Sequence, residues 1–229
     1  MLKWAHVHCY RFNMTEQALL YSFRRCPYAM RARMALIFCQ LPIRVREVAL
    51  KDKPAELLAL NPKGTVPVLV SGDTLLTESL DIMLWATKQS SQAAATALRQ
   101  QLPAALALIT ANDEGFKPWL DKYKYFDRHP QFDQSYYRDN ACEFIAGLDD
   151  RLSQSTMLLG EEISLADLAI FPFVRQFAGV EPGWLDTNYP KVARWLDNHL
   201  ASKAFAACMY KYPLYQQQGD TLPLVLMTG

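Results

Sequence analysis

Between Ala18 and Ala49 the spacing of apolar residues changes period twice, and that limits the architectures open to this chain. Ala18 to Ser22 is an apolar, β-prone run. Pro27 to about Gln40 follows with Met30, Met34, Ile37 and Phe38 at helical spacing, and with Arg31 and Arg33 off the stripe. Leu41-Pro42 ends that helix. Ile43 to Ala49 then sets Ile43, Val45 and Val48 against Arg44, Arg46 and Glu47, the alternation of a half-buried strand. Strand, helix and strand in so short a span form a β-α-β unit, with parallel strands and a right-handed crossover.

Pro54 opens a short helix through Leu60, and Asn61-Pro62-Lys63-Gly64 breaks it. Val66 to Val70, the turn Ser71-Gly72-Asp73 and Thr74-Leu75-Leu76 form a hairpin, and a helix from about Glu78 to Lys88 closes the unit. The order βαβ-α-ββα predicts a thioredoxin-like α/β domain over residues 18–88. Composition shifts after Lys88: Gln89-Ser90-Ser91-Gln92 is a polar linker, and no β-rich stretch follows. Ala93 to about Asn112 and Gln134 to Ser153 are long Ala- and Leu-rich helical segments, the first with a kink or a late start at Pro103. Ser164 to Phe177, Pro190 to Leu200 and a shorter stretch from Ser202 to Tyr210 complete an all-helical bundle over residues 89–229. Residues 1–17 form an N-terminal extension; its first thirteen residues lack a signal peptide's apolar core, Met14 is an alternative start, and little contribution to function is expected from them.

A near-neutral net charge of +1 points to neither nucleic acid nor an anionic membrane as a partner. No apolar run approaches the roughly 18–20 residues of a membrane span. The cysteines Cys9, Cys26, Cys39, Cys142 and Cys208 are odd in number and scattered, which disfavours a disulfide framework and suits a reducing, cytoplasmic setting. Neither they nor His6, His8, His129 and His199 have metal-ligand spacing, so no metal site is expected.

The helix that Pro27 opens carries the main chemical candidate. Proline suits the first helical position, because its missing N–H would go unpaired there anyway. Cys26 then stands at the N-cap, with free amides and the positive dipole end near its sulfur. Arg24, Arg25, Arg31 and Arg33 add positive charge nearby. Both influences favour the nucleophilic thiolate; the plainer alternative is a small cysteine that fills space. Cys26-Pro27-Tyr28-Ala29 has the layout of a redox Cys-x-x-Cys with alanine in the second cysteine's place. A mixed disulfide here has no local resolving thiol, so a second thiol must come from outside, and glutathione is the supplier in a reducing cytosol.

Further motifs each carry two readings. Val66-Pro67 opens a strand, where the proline is either cis, turning the backbone of Val66 toward a cleft, or an ordinary trans strand-start proline. Thr77-Glu78-Ser79 is either a carboxylate and ammonium site for an α-amino-acid head group, or a helix cap with Thr77 or Ser79 at the N-cap. Ser164-Leu165-Ala166-Asp167 is a capping box and reads as structural. Trp119, Tyr123, Lys124, Tyr125, Phe126 and Arg128, in a loop between bundle helices, line a pocket for an apolar electrophile or are plain core.

From about Ala18 onward the chain resembles a cytosolic glutathione transferase. It is most similar to the cysteine-type classes, the omega-like transferases, dehydroascorbate reductases and related bacterial proteins. Cys26-Pro27-Tyr28 with Arg31 and Arg33, Leu50 to Pro54, Asn61 to Leu69, Thr77-Glu78-Ser79 and the Ser164/Asp167 box after Leu158-Leu159-Gly160 carry the resemblance, in order and at compatible spacing. The resemblance implies that Cys26 is catalytic and forms a mixed disulfide with glutathione as co-substrate. It implies further that Lys53 pairs with the glycine carboxylate, Val66 hydrogen-bonds the cysteinyl backbone beside a cis Pro67, and Glu78 and Ser79 hold the γ-glutamyl group. Ala29 matches the monothiol members. Tyr21 and Ser22, just before the loop, leave hydroxyl-based conjugation open. The expected function is glutathione-dependent thiol transfer by a homodimer acting on a small-molecule or thiol/disulfide second substrate. Conjugation to electrophiles, or a non-catalytic binding module on the same fold, are the alternatives.

Overall fold

The computed structural model describes residues 17–215 and 221–226. Expectations about His6, His8, Cys9 and Met14 lie outside the described residues. The chain runs β1 (Leu19–Ser22), α1 (Pro27–Phe38), β2 (Arg44–Glu47), α2 (Ala55–Leu60), β3 (Val68–Ser71), β4 (Thr74–Leu76) and α3 (Ser79–Gln89). β1 pairs in parallel with β2, Leu20 facing Val45, and antiparallel with β3, Leu20 facing Leu69. β4 returns on β3 through the hairpin, with Val70 facing Leu75. This is the mixed sheet of a thioredoxin-like domain.

A helical domain follows as α4 (Ala93–Arg99), α5 (Leu102–Thr110), α6 (Lys117–Lys124), α7 (Gln134–Leu152), α8 (Leu165–Ala178), α9 (Trp184–Asn188), α10 (Pro190–Leu200) and α11 (Lys203–Cys208). The long first helix expected here is interrupted at Gln101, whose φ of 53° is left-handed, and Pro103 sits in the first turn of a late-starting α5. A π-helical stretch, Ala111–Phe116, joins α5 to α6. The aromatic-basic cluster therefore lies partly on a helix instead of in a loop, and Tyr123 is core. α8 starts on the full capping box: Ser164 Oγ accepts from Asp167 N, and Asp167 Oδ2 accepts from Ser164 N at 2.9 Å. The other carboxylate oxygen accepts from Leu158 N and Trp195 Nε1, both at 2.9 Å, so Asp167 ties α8 to α10. Its role here is structural.

Two expectations are corrected. The chain does form strand after Lys88: β5 (Leu222–Pro223) pairs antiparallel with β2 and completes the sheet order β4-β3-β1-β2-β5. Leu224 N donates to Ile43 O and Tyr215 N to Glu47 O, each at 2.7 Å, so the chain beyond α11 covers an edge that would otherwise stand open. Nor do Arg31 and Arg33 lie on a solvent face, being 3% and 0% exposed. α1 packs between α3 on one side and α8 and α11 on others, so it has no free face. A one-sided stripe would have assumed one. Core residues from both halves, from Leu20 and Met34 to Phe171 and Trp195, form one continuous cluster.

Candidate functional site

A cleft of about 610 Å³ lies where the α1 N-terminus, the strand-start proline and the α3 N-terminus converge. Cys26, Lys53, Val66, Pro67, Glu78 and Ser79, the six site residues expected from the sequence, all line it. Cys26 occupies the N-cap of α1 in extended conformation, with Pro27 opening the helix, and its own side chain makes no capping hydrogen bond. Its thiol points across to Val66 O at 3.7 Å. The Val66–Pro67 bond is cis.

Among the described cysteines Cys26 alone is partly exposed; Cys39, Cys142 and Cys208 are buried. Burial pushes the Cys39 and Cys142 thiols up to about 11 and raises Cys208 as well. Those three thiols are held in the unreactive form. Lys53 comes from the loop before α2 and lies over Gly64: a Cβ there would sit 3.0 Å from Lys53 Nζ and 3.1 Å from Leu58 Cδ2. Gly64 also has a φ of +63°, a conformation that side-chain-bearing residues rarely adopt, so the backbone itself favours glycine there. Lys51, two residues back, is exposed and lines no part of the cleft.

At α3 the capping reading is corrected. Glu78, not Thr77 or Ser79, takes the N-cap position, and its side chain makes no capping hydrogen bond. The Ser79 hydroxyl is the acceptor of a hydrogen bond from Arg31 Nε at 2.9 Å. Arg31 also donates from both terminal nitrogens to the two oxygens of Asp113, each at 2.9 Å. Its guanidinium lies 5.1 Å from the Tyr28 ring centre and 5.4 Å from that of Phe173. Arg31 and Asp113 line the cleft too, and sequence reasoning missed them as site residues. Asp113 stands 82 residues from Arg31 on a helical stretch without a motif, so nothing local marks the pair.

The positive field expected around Cys26 is smaller than four arginines suggest. Arg31 is neutralised by Asp113, and Arg33 by Glu47 at 3.6 Å. Arg33 further donates to Ser22 Oγ at 3.0 Å and to Arg24 O at 2.6 Å. Burial raises the Glu47 carboxyl, against the pull of the Arg24 amide and Arg33. The hydroxyl alternatives are also engaged elsewhere: Ser22 holds Arg33, and Tyr21 OH accepts from Arg46 at 2.6 Å. Both residues are buried and neither lines the cleft. Among the described residues no group of three or more His, Cys, Asp or Glu is arranged to hold a metal ion, and no helix is long and apolar enough to cross a membrane.

A thioredoxin-like sheet with a helical domain behind it, and a cleft at the first helix that a partly exposed cysteine faces, define the class of fold as a two-domain one, α/β followed by all-helical. The glutathione S-transferase N-terminal domain model matches residues 20–94 and the C-terminal domain model residues 137–198, together well over half of the chain. The chain belongs to the cytosolic glutathione S-transferase family. It is similar to glutathione S-transferase F9 of Arabidopsis thaliana, 28% identical over 184 residues, with 71% of this chain and 81% of that protein covered. A shorter match, 42% identical over 74 residues, is to pyrimidodiazepine synthase of Drosophila melanogaster; it spans 31% of this chain and only 30% of that protein. Among solved structures, a glutathione transferase family member from Pseudomonas fluorescens with two glutathione bound aligns at TM-score 0.73 and 21% identity, covering 85% of this chain and 92% of that one. A glutathione transferase from Phanerochaete chrysosporium in complex with oxidized glutathione aligns at TM-score 0.73 and 19% identity, covering 85% and 95%.

Proposed function

We propose that this protein is a glutathione-dependent enzyme in which Cys26 performs thiol transfer. The observation that carries the reading is the placement of the one half-exposed described cysteine at a helix N-terminus, in a cleft shared with Lys53, Val66, Pro67, Glu78 and Ser79. Relatives named for glutathione, and neighbours crystallised with it, support glutathione as the co-substrate. The Cys26 thiolate attacks the glutathionyl sulfur of a mixed disulfide, forming Cys26–S–SG and releasing the substrate thiolate. A second glutathione thiolate then attacks Cys26–S–SG, leaving glutathione disulfide and the free Cys26 thiolate. Lys53 pairs with the glycine carboxylate, and Val66 offers its backbone to the cysteinyl residue beside Pro67. Glu78 and Ser79 receive the γ-glutamyl head. Because Arg31 already donates to Ser79 Oγ, the hydroxyl hydrogen is left to donate to the ligand's carboxylate. The reading extends to an omega-like or dehydroascorbate reductase-like subtype, a cytoplasmic setting and a homodimer, the last to be read by light scattering.

Conjugation of glutathione to electrophiles uses the same cleft, and Tyr28, which lines it, carries a hydroxyl. Cys26→Ser separates the two. It should abolish glutathione-dependent disulfide exchange while leaving glutathione binding by calorimetry within about twofold. Full exchange activity in that variant removes Cys26 from the mechanism. No glutathione binding by the wild type defeats the enzyme reading and favours a binding module.

A further inference from the structure

The stretch from Phe23 to Arg25 separates the end of β1 from Cys26, and a hydrogen bond from Cys26 N to Phe23 O at 3.0 Å closes it into a turn. Arg24 is the first central residue of that turn. Its N–H donates to Glu47 Oε1 at 2.5 Å, and its carbonyl accepts from Arg33 Nη2 at 2.6 Å. Both backbone polar groups of one turn residue are thus held by buried side chains, one from β2 and one from α1. Arg33 Nη1 also donates to Ser22 Oγ at 3.0 Å, which fixes the entry to the turn.

The two holders are themselves anchored. Arg33 stands inside α1 with no exposed surface. Glu47 ends β2 opposite Ser22; Val48 N donates to Ser22 O at 2.8 Å, and Tyr215 N donates to Glu47 O at 2.7 Å. As an ion pair, however, they are poorly made. Arg33 Nη1 and Glu47 Oε2 lie 3.6 Å apart, beyond hydrogen-bond length. Arg33 Nε and Glu47 Oε2 are buried without a hydrogen-bond partner among the described residues. A buried pair left partly unsatisfied adds little stability over apolar side chains of the same volume. Its short hydrogen bonds go to Ser22 and Arg24, which points to geometry as what the pair supplies.

We propose that Arg33 and Glu47 are positioning residues for Cys26, holding the turn at Arg24 so that the thiol is presented to the cleft. The proposal rests on the thiol-transfer reading, and neither residue lines the cleft itself. A displacement of about 1 Å at a reacting atom can cost up to about a hundredfold in rate, so a clamp on the turn bears directly on turnover.

Three variants separate this role from simple stabilisation. Glu47→Gln and Glu47→Met have similar volume and leave Arg33 equally unpaired, but only Gln keeps an acceptor for the Arg24 amide. Arg33→Met combined with Glu47→Met removes both buried charges and should melt within about 5 °C of the wild type. The readouts are kcat for exchange with the mixed disulfide of glutathione and 2-mercaptoethanol, glutathione Kd by calorimetry, and hydrogen exchange of the Arg24 amide by NMR. Glu47→Gln should melt earlier than the double variant yet keep about a third or more of the wild-type kcat and a protected Arg24 amide. The double variant and Glu47→Met should lose about tenfold in kcat and in Arg24 protection, with glutathione Kd within about twofold. If the double variant melts early, Glu47→Gln against Glu47→Met decides alone. Wild-type kcat in Glu47→Met, activity that follows the order of melting temperatures, or a loss expressed in glutathione Kd instead of kcat would each overturn the proposal. A wild type with a protected Arg24 amide and no exchange activity defeats the thiol-transfer reading and not the clamp. An Arg24 amide that exchanges as fast as an open turn in the wild type defeats the clamp and leaves that reading intact.

Discussion

Arg31 commits its guanidinium to two halves of the molecule at once, donating to Ser79 at the head of α3 and to Asp113 in the helical domain. An ammonium cannot reproduce that fork, because it lacks both the planar pair of donors and the separate Nε–H. Arg31→Lys should therefore destabilise the fold by about 2–3 kcal/mol in denaturant titration, as a half-buried pair loses its geometry. It should also raise the glutathione Kd while leaving thiol alkylation of Cys26 unchanged. At the exposed rim the expected effects are smaller and specific. On the proposed reading Glu78→Ala and Lys53→Ala each remove a solvent-accessible charged contact to glutathione worth about 1–2 kcal/mol, so each should give roughly a five- to thirtyfold rise in glutathione Kd by calorimetry. Lys51→Ala is the control, since Lys51 is exposed and off the cleft. Equal losses at Lys51 and Lys53 would point to a diffuse basic patch.

Among the elements, α1 and α10 show how burial converts ordinary polar residues into determinants of stability. α1 is covered on every side, so its two arginines require built-in acids, and Asp113 and Glu47 supply them. On α10, His199 packs 4.8 Å from the Trp195 ring centre and 5.1 Å from that of Phe171. Burial lowers its pKa from the usual 6.5, with the Asp167 carboxylate opposing. The unfolded chain then binds a proton before the folded one as pH falls below 6.5. Stability from this group is complete above that value and drains away below it. The wild-type denaturation midpoint should fall between about pH 7.5 and about pH 5.5 by more than that of His199→Gln. Parallel curves for the two proteins would show that His199 stays protonated to the same degree in both states.

At the scale of the whole molecule, the chain beyond α11 joins the two domains by returning to the sheet. Arg44 donates to Thr221 O at 2.6 Å and Arg46 to Thr221 Oγ1 at 3.1 Å, while the Arg46 guanidinium lies 4.2 Å from the Tyr215 ring centre. Removing residues 211–229 should lose about 2–3 kcal/mol, or roughly 4–12 °C in Tm, and reopen the β2 edge to association. An unchanged Tm and a monodisperse truncated protein would show that the returning strand contributes nothing.

Local patterns determined much of this protein. Alternation at Ile43 to Val48, helical spacing after Pro27 and the hairpin turn at Gly72 are short-range signals, and β2, α1 and the β3–β4 hairpin follow them. The same is true of the Cys26 N-cap and the Ser164/Asp167 box, where a few adjacent residues specify the geometry. Contacts between distant segments were decided only by the tertiary structure. A helix stripe records which residues are apolar but not how many neighbours cover the helix, so the burial of Arg31 and Arg33 was invisible until α8 and α11 closed over α1. Residues 222–223 carry no strand signal of their own; they become β5 because β2 has an open edge and the chain reaches it. Arg31 meets Asp113 because of how the helical domain is laid against the sheet, which is a property of packing in three dimensions and not of any stretch of sequence.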